Sequence, residues 1–270
     1  MWRKKLIWGG IILMSLLILG SLNNFKSHFE FQSNIKQVKS IMVNADLSNI
    51  KVISEHSDLS IEYQGEKSIF GEPNIDITYS NNKATINVVT IDKGWKKILP
   101  GKRNRGNIVL NIPPRYLDEM QLGTKNGNID VNQIAEISQL SLIADTGTIR
   151  LNSFQGGLLN VKAGNGSIYL GEVEGQINII NKVGSLKDLV LKGVQGENKI
   201  KISNGSVKVK LPNDTTNIGL NISTKNGDIK DNESKLAIVK KGAGKAIVNE
   251  VPNSDAKINI SVSVGNIEID

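Results

Sequence analysis

The sequence predicts an all-β protein: a β-solenoid (β-helix-like) of ~20-residue coils, preceded by one N-terminal transmembrane helix. Three observations predict it. Glycine recurs at Gly106, Gly127, Gly147, Gly166, Gly184, Gly205, Gly227, Gly244 and Gly265. After each glycine a short apolar-polar-apolar step follows, as in NGNIDV, TGTIRL, NGSIYL and NGSVKV. Upstream of all of them, one uncharged stretch runs from Leu6 to Leu22, behind Trp2-Arg3-Lys4-Lys5.

That stretch is 17 residues long, the short end of a spanning helix. A signal peptide has a shorter apolar region and an Ala-x-Ala-like cleavage site; here only Gly20 and Ser21 are small. The reading is therefore an uncleaved signal anchor, with a cleaved signal peptide or a buried core helix as alternatives. Trp2 and Trp8 suit an interfacial belt, and Arg3, Lys4 and Lys5 place the short end in the cytoplasm. The expected organisation is a cytoplasmic tail at 1–5, the anchor at 6–22, and a polar juxtamembrane spacer or short helix at 23–40. Residues 41–270 form the extracytoplasmic solenoid. The protein is expected at the cell membrane, single-pass, with the bulk of the chain outside.

Residues 41–112 read as an irregular capping part. Ser48 can take the glycine slot with Ile50 and Val52 inward, and Asn82 can do so with Ala84 and Ile86 inward. Leu59 to Tyr63 and Asn74 to Tyr79 are strand-like. Terminal repeats are expected to be atypical.

Residues 113–270 read as regular repeats. Asn126-Gly127, Asn165-Gly166, Asn204-Gly205 and Asn226-Gly227 are strong turn signals, because both residues accept positive φ. The second and fourth residues past the glycine should point inward: Ile129 and Val131, Ile149 and Leu151, Ile168 and Leu170, Val207 and Val209, Ala246 and Val248, Ile267 and Ile269. Asp188 and Asp231 break that register, so their coils should be irregular. The asparagines before the turn glycines could stack into a ladder. A hairpin meander would show its turns every ~8–12 residues, about twice as often as this chain does. A β-sandwich or irregular β-barrel is the alternative fold.

Composition narrows the function. Aromatics make up 4 % of the chain, so the core must be aliphatic, and there is no cysteine for a disulfide or a lipid-modified terminus. With two histidines, His28 and His56, a paired-histidine metal site is not expected. There is no Gly-x-Ser-x-Gly turn, and Glu172 and Glu174 gain no matching acid from neighbouring coils. Neither catalytic residues, cofactor nor metal is expected, and nucleic acid is not an expected partner.

Two constellations are candidates for binding. The run from Asp92 to Arg105 sets Lys93, Lys96, Lys97, Lys102, Arg103 and Arg105 around Trp95, a pattern suited to an anionic surface or equally to a solvated insertion. The third residue past each glycine should point outward, giving Arg150, Tyr169, Lys187, Lys208 and Lys230 on five successive coils. Like charges so stacked repel by roughly 1 kcal/mol per pair in water, which a bound polyanion would relieve. The bland alternative is a solvated face that resists edge pairing. The net charge is +7, of which Arg3, Lys4 and Lys5 supply three.

Lys201 to Pro212 followed by Thr224 to Lys230 mirrors Gly106 to Pro113 followed by Thr124 to Asp130. In both, a glycine coil leads to a proline, a polar connector and a Thr-Lys-Asn-Gly turn. These copies resemble the bacterial β-strand-repeat family of unknown function whose members are called adhesins from their β-helical shape. The single membrane segment makes the chain LiaG-like, and LiaG is encoded with a Gram-positive envelope-stress system. The resemblance implies a non-enzymatic, membrane-anchored binding or scaffold role at the cell envelope. Partners would be the membrane, an anionic cell-wall polymer, a phospholipid surface or an envelope protein. Alternatives are a structural protein that self-assembles through the edge of its last coil, or a polysaccharide-active enzyme.

Overall fold

Only strands, turns and loops occur among the residues that the computed structural model describes, which are 26–54, 58–68, 72–90, 105–233, 236–241, 243–251 and 254–270. The anchor at 6–22 lies outside them. So do Lys93, Trp95, Lys96, Lys97, Lys102 and Arg103. Arg105 is described, exposed immediately before a strand.

The strands are β1 Lys26–Asn34, β2 Ser40–Ala45, β3 Ser48–Ile53, β4 Ser60–Ser68, β5 Asn74–Ser80, β6 Lys83–Val89 and β7 Gly106–Asn111. Then come β8 Glu119–Asn126, β9 Ile129–Thr146, β10 Ile149–Asn165, β11 Ile168–Val183, β12 Leu186–Gly193, β13 Glu197–Asn204 and β14 Val207–Lys210. The last are β15 Gly219–Asn226, β16 Ile229–Asp231, β17 Val239–Lys241, β18 Gly244–Asn249, β19 Lys257–Val264 and β20 Ile267–Ile269. Each coil has one strand before the glycine turn and one after it. The strands before the turn stack into one parallel face and those after it into a second; β9, β10 and β11 bend through the corner and belong to both.

On the first face the stacking order is β5-β6-β2-β8-β9-β10-β11-β13-β19-β15-β18-β17. On the second it is β1-β4-β7-β3-β9-β10-β11-β12-β14-β20-β16. The pairings β1–β4, β4–β7, β5–β6, β15–β18 and β17–β18 are antiparallel and close the two ends. Coils therefore do not stack in sequence order. The coil 40–53 lies between the β6/β7 level and the β8/β9 level. The coil 257–269 lies between β13/β14 and β15/β16.

Inward side chains line up in columns. Ile86, Val43, Leu122, Leu142, Val161, Ile179, Ile200, Ile260, Ile222 and Ile247 form one from end to end, all buried. Ile108, Ile50, Ile129, Ile149, Ile168, Leu186, Val207, Ile267 and Ile229 form its counterpart on the second face. Burying such a side chain contributes roughly 1.5–3 kcal/mol, which is how a chain with few aromatics builds its core. Tyr63 plugs one end of it. Burial raises its phenol to about 12, with the Asp46 carboxylate adding to the rise.

The turn column demands glycine. At Gly147 φ is 139° and a Cβ would lie 1.8 Å from the Gly127 carbonyl oxygen; at Gly166 it would lie 1.8 Å from that of Gly147. Ser48 does occupy the glycine slot, paired with Gly106, and Ile50 and Val52 point inward. Ala84 and Ile86 are inward too, but Asn82 is not in that slot. It shares a tight hairpin turn with Asn81, both with positive φ, between β5 and β6.

Other expectations change. Residues 26–34 of the expected spacer or helix form a strand antiparallel to β4. The regular repeat does not run unbroken to 270, because the crossover at 211–218 and the β17–β18 hairpin interrupt it on either side of the β15/β16 coil. Gly244 starts no coil: it opens β18, antiparallel to β15, so Ala246 is buried as expected, but Ile247 is buried too and Val248 is 55 % exposed, the reverse of the expectation for those two. At Asp188, with φ 62°, the strand bulges and Leu189 takes the inward seat. The stacked polar ladder lies after the glycines, not before them. Asn128 donates its amide N–H to the Asn49 side chain at 2.9 Å, and Thr148 donates its own to Asn128 at 2.9 Å. Finally, the coil ending at Asp270 offers no free edge, since it is paired on both sides.

Candidate functional site

The outward row three residues past the turn reads, in stacking order, Lys51, Asp130, Arg150, Tyr169, Lys187, Lys208, Glu268, Lys230. Four of the five expected stripe residues, Arg150 to Lys208, are consecutive. Lys230 is not, because the inserted coil places Glu268 between it and Lys208. Lys208 donates to the Glu268 carboxylate at 3.0 Å and lies 3.3 Å from that of Asp270.

Tyr169 sits at the centre of the remaining patch. Its ring is flanked on both sides by cations from adjacent coils, with the Arg150 guanidinium carbon 5.1 Å and the Lys187 ammonium 5.4 Å from the ring centroid. Each such contact is worth about 0.5–1 kcal/mol at an exposed site. Among the described residues neither cation has a carboxylate within ion-pair distance. Two coil steps put them roughly 10 Å apart, with the ring between. The flat face continues on both flanks as amides and hydroxyls: Asn152 donates to Asn132 at 2.9 Å, and Ser206 donates its N–H to the Ser185 hydroxyl at 3.2 Å. This arrangement can bind an extended anion by charge and hydrogen bonding; it holds no acid/base pair for bond cleavage. No cluster of three or more His, Cys, Asp or Glu suited to a metal occurs among the described residues.

Sequence reasoning missed a second feature. A cavity of about 290 Å³ lies beneath the 112–118 crossover, where β7 skips the inserted coil to reach β8. Ile112, Leu117, Met120 and Ile134 give it apolar walls, and Ser54, Asn132 and Gln133 a polar side. Arg115 lines it and is ion-paired at 3.0 Å with Glu136, both residues being in left-handed backbone with φ of 55° and 56°. The Pro113-Pro114 step after a glycine coil was the available sequence signal. A smaller cavity, about 40 Å³, lies under the second crossover at Leu211, Pro212 and Leu236.

The two Thr-Lys-Asn-Gly copies now have a physical role. Thr124 donates its hydroxyl to the Ser48 carbonyl at 2.9 Å, and Thr224 donates to the Gly265 carbonyl at 2.8 Å. Each threonine binds the turn of an inserted coil, and each preceding proline begins the crossover that leaves room for it.

Residues 37–270 match the Toastrack DUF4097 family model. The chain belongs to the Toastrack DUF4097 family. No curated protein matches it. Among solved structures it is similar to a candidate lipid-binding protein from Parabacteroides distasonis, with 12% identity, a TM-score of 0.48, and 92% of this chain and 98% of that chain covered. It is also similar to a candidate adhesin from Bacteroides fragilis, at 14% identity and TM-score 0.45, covering 90% of this chain and 97% of the other. A candidate cell-adhesion protein from Clostridium sporogenes shares 16% identity at TM-score 0.41, covering 90% and 99%. The family assignment agrees with the resemblance read from the two repeat copies.

Proposed function

We propose that this Toastrack-family chain is a non-enzymatic binding or scaffold protein of the bacterial cell envelope. In this reading residues 6–22 anchor it in the membrane, and its β-stack stands outside. There it contacts anionic polymer through Arg150, Tyr169 and Lys187, with a role in envelope stress. One observation carries the reading: two cations without carboxylate partners are held about two coils apart across an aromatic ring on a flat, rigid face. Rigid presentation lowers the ordering cost of binding, so shallow contacts suffice. Arg105 and the basic segment before it would add a second contact.

The test is binding of the detergent-solubilised full chain to purified anionic cell-wall polymer across a salt series. Replacing Arg150 and Lys187 by Glu should weaken binding about tenfold or more and flatten its salt dependence. Equal binding by the variant and the native chain at low salt would overturn the reading.

A further inference from the structure

The coil 257–269 makes seven backbone rungs with β13 and seven with β15, then three with β14 and three with β16. The two coils it separates are consecutive in sequence, joined by the crossover at 211–218. Both are synthesised before it. Until it arrives, the slot between them offers four unpaired strand edges and an unsatisfied Thr224 hydroxyl. Unpaired parallel edges are templates for another chain.

The slot is selective. At Gly265, with φ 138°, a Cβ would lie 1.9 Å from the Gly205 carbonyl oxygen, so a side chain there is excluded. Ile258, Ile260 and Ile267 must be inward. Glu268 must meet Lys208, and Asn232 donates to it at 3.0 Å. The other inserted coil, 40–53, would not fit: it carries Lys51 where Glu268 stands, facing Lys208 and Lys230. The complementary occupant is the segment 257–269 itself.

We propose that this slot also accepts the coil 257–269 of a second copy of the chain, so that two molecules exchange the coil reciprocally and complete each other's stacks. Every contact between coil and slot is reproduced in the exchanged pair. Only the connector 250–256 between β18 and β19 changes course. Extended, it spans roughly 24 Å, enough to reach an adjacent stack. The tethered coil competes at an effective concentration in the ~mM range, so exchange is favoured where copies fold close together, as on a crowded membrane surface.

The absence of native cysteine permits a direct test. Full-length chains carrying one tag and Lys208→Cys are co-refolded with chains carrying another tag and Glu268→Cys, at low and at high protein concentration. The two positions are opposed on adjacent parallel strands, within disulfide reach. Exchange produces a disulfide between differently tagged chains, whose share of all chains rises about tenfold for a tenfold rise in refolding concentration at low conversion. The double variant in one chain is the control and should crosslink within itself on dilution. If the control crosslinks and no mixed-tag species forms at any concentration, the proposal is overturned. If the control itself fails to crosslink, the assigned slot is wrong and the proposal falls with it.

Discussion

Two coils far apart in sequence, 40–53 and 257–269, occupy matching places one level in from opposite ends of the stack, yet they are held by different means. The first has six rungs with β6 and six with β8, then six with β7 and three with β9, and Tyr63 packs beside its turn. Its Asp46 carboxylate accepts the backbone N–H groups of Leu47 at 2.6 Å and Thr90 at 2.8 Å. The second has only three rungs on each side of β20 and relies there on exposed polar contacts of Glu268 and Asp270 with Lys208 and Asn232. One position in the architecture can thus be secured by burial or by a solvent-facing polar latch. The second choice leaves the coil responsive to its surroundings.

The turn residue separates the two most sharply. Gly265→Ala forces a Cβ into the Gly205 carbonyl and should cost more than ~3 kcal/mol. Ser48→Ala removes a buried hydroxyl beside the Tyr63 phenol and should change stability by less than ~1.5 kcal/mol. Urea unfolding of both variants checks this; equal losses would mean the two turns are built alike. A smaller effect tests what the coils share. Thr124→Ala and Thr224→Ala each remove the hydrogen bond to an inserted turn, and each should cost about 1–2 kcal/mol. Unequal losses would show that only one threonine acts as a fastener.

Acid provides the gentlest discrimination. Hydrogen bonds from Lys208, then Asn232, hold Glu268 below the usual carboxylate range; Asn232, then Lys208, do the same for Asp270. A lowered folded pKa means stabilisation that is present above the unfolded value and lost as pH falls through the folded one. The Lys208 ammonium is shifted up by the same partners, so its share persists until pH rises past the ordinary lysine range. Lowering pH below the carboxylate range should therefore speed hydrogen exchange in 267–269 before it does so in 48–53. Simultaneous exposure of both segments would deny the latch its role.

Much of the fold is legible in the residues alone. Alternation after each turn glycine is a local property, so Ile129, Ile149, Ile168 and Val207 could be assigned inward without coordinates, and Asp188 could be flagged as a break. The outward run Arg150, Tyr169, Lys187, Lys208 followed from the same phase. Lys230 did not, because its neighbour on the stack, Glu268, comes from a segment 38 residues later in the chain. Ile247 and Val248 were inverted because Gly244 opens an antiparallel partner of β15, and strand direction is not encoded in a glycine. The crossover cavity was hidden for a related reason: Ile112 and Ile134 are 22 residues apart and meet only because an intervening level is occupied by the inserted coil.

The sequence by itself determined the period, the turn chemistry, the aliphatic interior and the family, since all of these reside in spacings of a few residues. Tertiary structure alone decided the order of the coils and the composition of every row that crosses them. Parallel edges of repeated strands are chemically alike, so stacking order is selected by long-range fits: a crossover long enough to skip one level, a threonine placed for a distant carbonyl, and a glutamate that meets Lys208.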